Sequence, residues 1–110
     1  MSESAAAVLD ALGDRTRRSI FEKLADGPVA VGVLADQLPI SRPAVSQHLR
    51  VLKEAGLVVE AAEGTRRLYR VSPAGLAAVR SYLDRFWEST LDNFALLAEA
   101  EAHRKAGKPT

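Results

Sequence analysis

The positions of glycine and proline constrain the fold of this chain more than any other feature of its sequence. Gly13, Gly27, Pro39 and Gly56 divide the first half into short segments, because these residue types end or interrupt helices. From residue 76 to residue 106 neither glycine nor proline occurs, so one long helix can form there. The pattern therefore predicts several small helices that pack together and one much longer helix near the end of the chain.

Apolar residues recur at helical spacing in each of the short segments. Asp14 and Ser41 precede two of them and are of the types that cap helix N-termini. Pro43 lies in the first turn of the helix predicted after Ser41, where its missing N–H costs nothing. Two short helices separated only by a tight break at Pro39 indicate a helix-turn-helix over 31–55. The predicted helices are 4–12, 14–25, 31–38 and 42–55.

The pattern changes after Gly56. Residues 57–61 and 67–71 read as strands, with a turn at 63–65 between them, and together they form a hairpin that we call the wing (57–71). A single hairpin is too small to be stable alone, so it must pack against the helices. Ser72 and Pro73 then begin the last helix, expected over 73–102, with a flexible tail at 103–110. The predicted fold is mainly α with a small β-hairpin, in one domain over 1–110.

Composition excludes several classes of protein. The chain has 110 residues, of which 47% are hydrophobic, and it contains no cysteine, so disulfides and thiolate metal sites are excluded. No apolar run is long enough to cross a bilayer, and no secretion signal is recognisable, which predicts a cytoplasmic protein. There is no glycine-rich phosphate loop and no supported Ser-His-Asp grouping, so we expect neither enzymatic activity nor a cofactor.

The net charge of +1 conceals an uneven distribution. Residues 41–70 carry six lysine and arginine residues against three glutamates, an excess of three positive charges. Arginine and glutamine on the outer face of helix 42–55 suit base edges in the major groove, and the wing tip at 63–67 suits a neighbouring minor groove or the phosphate backbone. A solvated polar face is the alternative interpretation of this helix. The predicted contacts to double-stranded DNA are Ser41, Arg42, Pro43, Ser46, Gln47, His48, Arg50 and Lys53 on the helix, and Thr65, Arg66 and Arg67 on the wing.

Three stretches, 12–21, 41–58 and 63–69, resemble the ArsR family of bacterial repressors, and the resemblance covers about residues 5–100. It implies a homodimeric winged helix-turn-helix protein that binds a palindromic operator until an effector releases it. The chain departs from the family pattern in two places. No cysteine is present on the third helix, which removes thiol-based metal sensing. Pro39 stands where many such turns place a left-handed glycine, so the turn must differ locally.

The last helix predicts a partner subunit. Leu76, Leu83 and Leu97 lie on a seven-residue repeat that Thr90 completes. The apolar stripe of this helix is longer than one small domain can cover. Folding of this helix back onto its own domain is the alternative. The helices 1–13 and 73–102 are therefore the predicted dimerisation elements. The predicted interface residues are Ala5, Val8, Leu9, Leu12, Leu76, Val79, Leu83, Phe86, Trp87, Leu91, Phe94 and Leu97.

Other interpretations of the sequence remain open. The aromatic residues Phe86, Trp87 and Phe94 are expected in the dimer core, but they could instead line a ligand pocket between subunits. A zinc site at Glu99 and His103 would need further ligands from the partner subunit, and we expect no metal. The effector is a small molecule, a partner protein or absent. A winged-helix module that binds a protein rather than DNA is the alternative function.

Overall fold

The computed structural model describes residues 3–106, and the side chains of residues 5–105. Residues 107–110 of the predicted tail lie outside the described residues. The chain folds into five helices and three strands within this range. They are α1 (Glu3–Leu12), α2 (Arg15–Lys23), β1 (Val29–Ala30), α3 (Val31–Asp36), α4 (Arg42–Glu54), β2 (Val58–Glu63), β3 (Arg66–Val71) and α5 (Pro73–Ala106).

The junction between α1 and α2 is fixed by side chains that satisfy both helix ends. Asp14 is the N-cap of α2, and its carboxylate accepts a hydrogen bond from the Arg17 N–H at 2.8 Å. The side chains of Arg17 and Arg18 reach back and donate to the carbonyls of Ala11 and Leu12 at 2.7 and 3.0 Å. These carbonyls have no partner within α1, so α2 caps the helix that precedes it.

The helices α2 and α3 each end two residues before their predicted boundary, with Leu24 and Gln37 as C-caps. The turn from α3 to α4 contains no left-handed residue, because positive φ values among the described residues occur only at glycines. This agrees with the expectation that Pro39 forces a different turn. Leu38 and Ile40 flank the proline and pack against the core, which holds the turn in place.

The sheet contains a third strand that the sequence did not predict. β1 pairs antiparallel with β3, through Val29 opposite Tyr69 and Ala30 opposite Leu68, and the strand order is β1-β3-β2. With only two residues, β1 has no alternation from which it could be recognised. The third strand ties the wing to the start of α3 and supports a hairpin that is marginal by itself.

The core lies between α1, α2, α3, α4 and the base of the wing. Ala5 and Val8 were predicted at the dimer interface, but both belong to this core and are 0% exposed within the single chain. The apolar face of α1 packs inward, and only Leu9 on it is exposed. Leu12 and Val79 are half-buried against the same core. The largest fully buried side chains are Ile20, Leu24, Leu34, Leu49, Leu52, Leu57, Val8, Val45 and Val58.

The last helix, α5, begins against the core and then leaves it. Gly75 is buried where α5 crosses the turn after α4, and a Cβ at this position would lie 2.9 Å from the carbonyl carbon of Gly56. α5 continues to Ala106, four residues beyond the predicted boundary at Ala102, and so includes the first part of the predicted tail. Every residue from Leu83 to Lys105 is exposed. The molecule is consequently elongated, with extents of 77 × 26 × 22 Å.

No helix within residues 3–106 combines the length and the apolar character that crossing a membrane requires.

Candidate nucleic-acid interface

The helix α4 separates a buried face from a polar face with a regular period. Val45, Leu49 and Leu52 are fully buried against the other helices. At the N-terminus, the Ser41 hydroxyl accepts a hydrogen bond from the Ala44 N–H at 3.2 Å, as an N-cap should. Most of the remaining polar positions of α4 therefore face away from the core, whereas Val51 beside the buried face packs partly against it.

The predicted DNA-contact residues of α4 are exposed, with one exception. Ser41, Arg42, Pro43, Ser46, Gln47, Arg50 and Lys53 are all open to solvent. His48 is half-buried on the side of α4 that faces α2. The hydrogen bond from the Arg17 backbone N–H is the main cause of the lowered pKa of Asp14, and the proximity of His48 contributes to it. The position of His48 fits packing between the two helices better than contact with DNA.

The wing ends in a two-residue turn formed by Gly64 and Thr65, since Glu63 and Arg66 are the last paired residues. Gly64 has φ +63°, and no other residue of the turn has a positive φ, which matches a type II′ hairpin turn. Successive strand residues point to opposite faces, so Arg66 and Arg67 do not project in the same direction. The two arginines predicted together at the wing tip are therefore not equivalent.

A groove lies between the wing, the start of α3 and the exposed face of α4. Its volume is about 510 Å³, and Arg42 and Ser46 border it on α4. The Arg42 guanidinium lies across α3, where a Cβ at Gly32 would be 3.9 Å from one of its nitrogens. The groove thus brings two predicted contact residues of α4, Arg42 and Ser46, together with those of the wing, whereas the other predicted contacts of α4 lie outside its lining. Its lining consists of Ala30, Val31, Gly32, Val33, Asp36, Arg42, Ser46, Thr65, Arg66, Arg67 and Tyr69.

Several of the cations at this surface are paired with carboxylates. Arg50 forms an exposed ion pair with Glu54 one turn further along α4, at 3.2 Å. Glu60 on β2 accepts from Lys53 Nζ at 2.5 Å and from an Arg67 guanidinium nitrogen at 2.9 Å. These two hydrogen bonds lower the pKa of Glu60 to about 2, so its carboxyl is ionised at neutral pH. The Glu60 carboxylate therefore links the last turn of α4 to the wing.

Two other cations keep their charge available. Among the described residues, neither Arg42 nor Arg66 forms an ion pair. Arg42 is at the N-terminus of α4, and Arg66 is beside the wing turn, so they lie at opposite borders of the groove. Positive charge is thus available on both sides of the groove.

A second surface is apolar and lies on α5. Within the described side chains there are eleven large hydrophobic residues with substantial exposure, and eight of these belong to α5. Phe86, Trp87 and Phe94 are 61, 62 and 69% exposed. Contiguous apolar exposure on this scale is unusual on a monomer and marks an interaction surface. The predicted residues on it are Leu76, Leu83, Phe86, Trp87, Leu91, Phe94 and Leu97. Leu96 is also exposed, but two residues after Phe94 it points to another side of the helix.

The proposed zinc ligands Glu99 and His103 are both exposed on α5. Among the described side chains, no group of three or more histidine, cysteine, aspartate or glutamate residues lies close enough to hold a metal ion. A site that used the partner's side chains stays untested.

Sequence reasoning missed Glu60 and Tyr69 at the first surface. Glu60 shares its strand face with the buried Val58, and Tyr69 lies directly opposite it on β3. A glutamate at an inward-facing strand position is the signal that could have revealed a buried charge partner. Leu96 was missed because it falls between the rows of apolar residues spaced by seven.

Comparison with known proteins places these surfaces in context. A helix-turn-helix domain family matches residues 12–61, which contain the whole helix-turn-helix and part of the wing. The chain is 59% identical over 91 residues to the HTH-type transcriptional regulator Rv2034 of Mycobacterium tuberculosis. That alignment covers 83% of this chain and 85% of the relative.

Two solved structures share the architecture. An ArsR-like transcriptional regulator from Rhodococcus sp. RHA1 superposes with a TM-score of 0.79 at 31% identity, over 88% of this chain and 92% of the other. The homodimeric winged helix-turn-helix DNA-binding domain of Mb0332 from Mycobacterium bovis has a TM-score of 0.64 at 30% identity. This second match covers 83% of this chain and 84% of that domain.

Proposed function

The chain belongs to the ArsR family of winged helix-turn-helix transcriptional regulators, as its sequence resemblance predicted, and we propose that it is a homodimeric repressor of an inverted-repeat operator. The observation that carries this proposal is the groove between α4 and the wing, with unpaired arginines at both of its borders. Membership in a family of transcriptional regulators supports binding rather than catalysis. Such a protein would act in the cytoplasm, where bacterial operators are found.

The exposed face of α4 supplies the side chains that this role requires. Arg42 and Gln47 lie in the first half of the helix, which is the part that contacts base edges in helix-turn-helix proteins. Both side chains can form two hydrogen bonds with one base in the major groove. Arg66 on the wing would contact the phosphate backbone beside the groove in which α4 lies.

The apolar face of α5 supports the homodimer. From Leu83 to Lys105 every residue of α5 is exposed, and this part of the helix displays Phe86, Trp87 and Phe94. A helix in water needs tertiary packing for most of its stability, so an exposed apolar helix of this length calls for a partner. The Mb0332 domain is a homodimer with the same architecture, which supports a second copy of this chain as that partner.

A symmetric dimer would present two α4 helices to one face of the DNA. Their half-sites would then lie about one helical turn apart, and the operator would have the twofold symmetry of the protein. Occupancy of such a site in a promoter excludes RNA polymerase, which is the basis of repression. The regulatory alternatives are release by a small molecule, release by a partner protein, or operation without an effector.

The proposal is tested by fluorescence anisotropy with a duplex from the region upstream of the protein's own gene. A scrambled duplex of equal length is titrated beside it, at several salt concentrations. We expect tighter binding to the native duplex, and affinity that falls steeply as salt increases because counterions are released from the phosphates. Gln47→Ala should cost about 1–3 kcal/mol on the native duplex and almost nothing on the scrambled one.

The charge pairing at the interface favours one other candidate. Arg50, Lys53 and Arg67 are matched by carboxylates, which would weaken binding to a polyanion and suit a protein partner. Absence of measurable affinity for either duplex at low salt would support this protein-interaction module and contradict the repressor.

A further inference from the structure

Glu60 is a carboxylate that binds two of the predicted DNA-contact residues, Lys53 and Arg67. Its side chain is only 18% exposed, whereas those of its partners Lys53 and Arg67 are 50 and 69% exposed. Each of its two oxygens accepts a hydrogen bond from a different cation. We call these three residues together with Tyr69 the Glu60 cluster.

The strand register shows why the Glu60 cluster is not an incidental surface pair. Glu60 lies on the same face of β2 as Val58, which is 1% exposed in the core. Tyr69 is directly opposite Glu60; burial raises the pKa of its phenol, and the neighbouring carboxylate raises this pKa further. A carboxylate held this close to the core is stable only when its oxygens are paired.

The Glu60 cluster joins α4 to the wing. Among the side-chain hydrogen bonds of the described residues, no other one connects these two elements. Lys53 is in the last turn of α4, and Arg67 is near the tip of β3. Because Lys53 donates to Glu60, movement of the wing away from α4 would break a charge-assisted hydrogen bond, and the Arg67 bond joins β3 to the same carboxylate within the wing. The cluster therefore helps to hold the wing side of the groove, where its members Arg67 and Tyr69 form part of the lining.

We propose that Glu60 is a positioning residue for discrimination between operator and random DNA, an inference that rests on the function proposed above. By fixing the wing relative to α4, it presents both elements in the geometry that one operator half-site requires. By occupying Lys53 and Arg67, it withholds two cations from phosphates of any sequence. Affinity that does not depend on sequence comes mostly from such phosphate contacts, so their removal lowers binding to random DNA.

The test compares Glu60→Gln with Glu63→Gln, a matched control on the same strand. Both substitutions remove one negative charge from the wing, and Glu63 forms no ion pair among the described residues. We expect Glu60→Gln to raise affinity for random duplex about threefold or more and to steepen the salt dependence by up to about 1.8 units of slope, since two cations are released and each phosphate contact contributes about 0.9 units. The ratio of operator to random affinity should fall roughly tenfold, whereas Glu63→Gln should leave this ratio unchanged. A ratio within twofold of wild type for Glu60→Gln, or an equal fall in both variants, would overturn the proposal.

A second variant separates positioning from charge. Lys53→Gln changes the charge in the opposite direction but also breaks the link between α4 and the wing. We expect it to lower the operator-to-random ratio as Glu60→Gln does, and the double variant should be no worse than either single variant. If Lys53→Gln weakened both duplexes equally and kept the ratio, Glu60 would act through charge alone and the positioning role would be refuted.

A measurement without DNA distinguishes this inference from the proposed function. Wild-type protein that binds no duplex would overturn the repressor assignment, but the melting temperatures of the same variants would still report on the Glu60 cluster. The loss in the Lys53→Gln, Glu60→Gln double variant should be smaller than the sum of the two single losses. Additive losses would show that the two residues are not coupled, which contradicts the proposal.

Discussion

Phe94→Ala is expected to weaken the proposed dimer without unfolding the domain. Phe94 is 69% exposed in the single chain and lies on the part of α5 that leaves the core. Complete burial of a phenylalanine side chain stabilises a structure by about 3 kcal/mol at the upper end of the usual range. Burial of the exposed 69% is therefore worth about 2 kcal/mol in each subunit.

The symmetric dimer contains two copies, so the substitution removes about 4 kcal/mol from association. This corresponds to a roughly thousandfold higher dissociation constant, since each 1.4 kcal/mol is a factor of ten. Sedimentation equilibrium over a wide range of protein concentration measures this constant directly. Val59→Ala is the matched control, because Val59 is a 37% exposed apolar residue on the wing and not on α5.

The refuting results are specific. A dissociation constant of Phe94→Ala within threefold of wild type would show that Phe94 is not at the subunit interface. An equal weakening in Val59→Ala would show that the loss is not specific to α5, which contradicts an interface formed by this helix. Wild-type protein that stays monomeric at all concentrations would contradict the homodimer itself.

Three other perturbations test separate parts of the structure. Gly75→Ala should lower the melting temperature by roughly 5–20 °C, because a Cβ would collide with the Gly56 carbonyl. Gly32→Ala is the control and should be neutral or stabilising, because a Cβ there would be at an ordinary contact distance from the Arg42 side chain. Equal effects of the two substitutions would refute the packing argument. The pKa of Glu60 is lowered from 4.5 to about 2. The stability that its ionised form contributes is thus present above about pH 4.5 and lost as the pH falls towards 2, so the melting-temperature gap between wild type and Glu60→Gln should close over this window. A gap independent of pH would contradict the ionic role. Arg66→Ala should weaken operator and random duplexes alike and make the salt slope about 0.9 units shallower, and a loss restricted to the operator would contradict a phosphate contact.

The sequence predicted the helices well because their ends depend on local chemistry. Asp14 and Ser41 cap α2 and α4 through hydrogen bonds to residues three positions later, which the sequence alone specifies. Gly56 and Gly64 have φ values of +82° and +63°, as expected of glycines that end a helix and form a hairpin turn. Features determined within a few residues were therefore predictable.

Features that depend on distant residues were not predictable in the same way. β1 exists only because Val29 and Ala30 find partners on β3, almost forty positions further along the chain. The helical spacing of apolar residues in α1 predicts that Ala5 and Val8 are buried. It does not reveal whether the residues that cover them belong to the same chain or to a partner subunit. The Glu60 carboxylate likewise requires α4 and the wing to be in contact before its partners can be identified.

The predicted contact residues of α4 were largely found on its exposed face, since burial of Val45, Leu49 and Leu52 leaves the other positions no alternative. His48 is the exception, because it falls at the edge of the buried stripe, where a shift of a few degrees decides between helix packing and solvent. Which bases these residues contact depends on the tilt of α4 against DNA, which sequence periodicity does not encode.

Selection of bound sequences from a random duplex library tests the central claim most directly, because the operator emerges from the selection itself. A homodimer that places two α4 helices in successive major grooves should enrich an inverted repeat, with half-site centres about one helical turn apart. Gln47→Ala should relax the enriched sequence at one position in each half-site. Enrichment of an unpaired half-site, or no enrichment by wild-type protein that binds DNA, would contradict a dimeric operator-reading regulator.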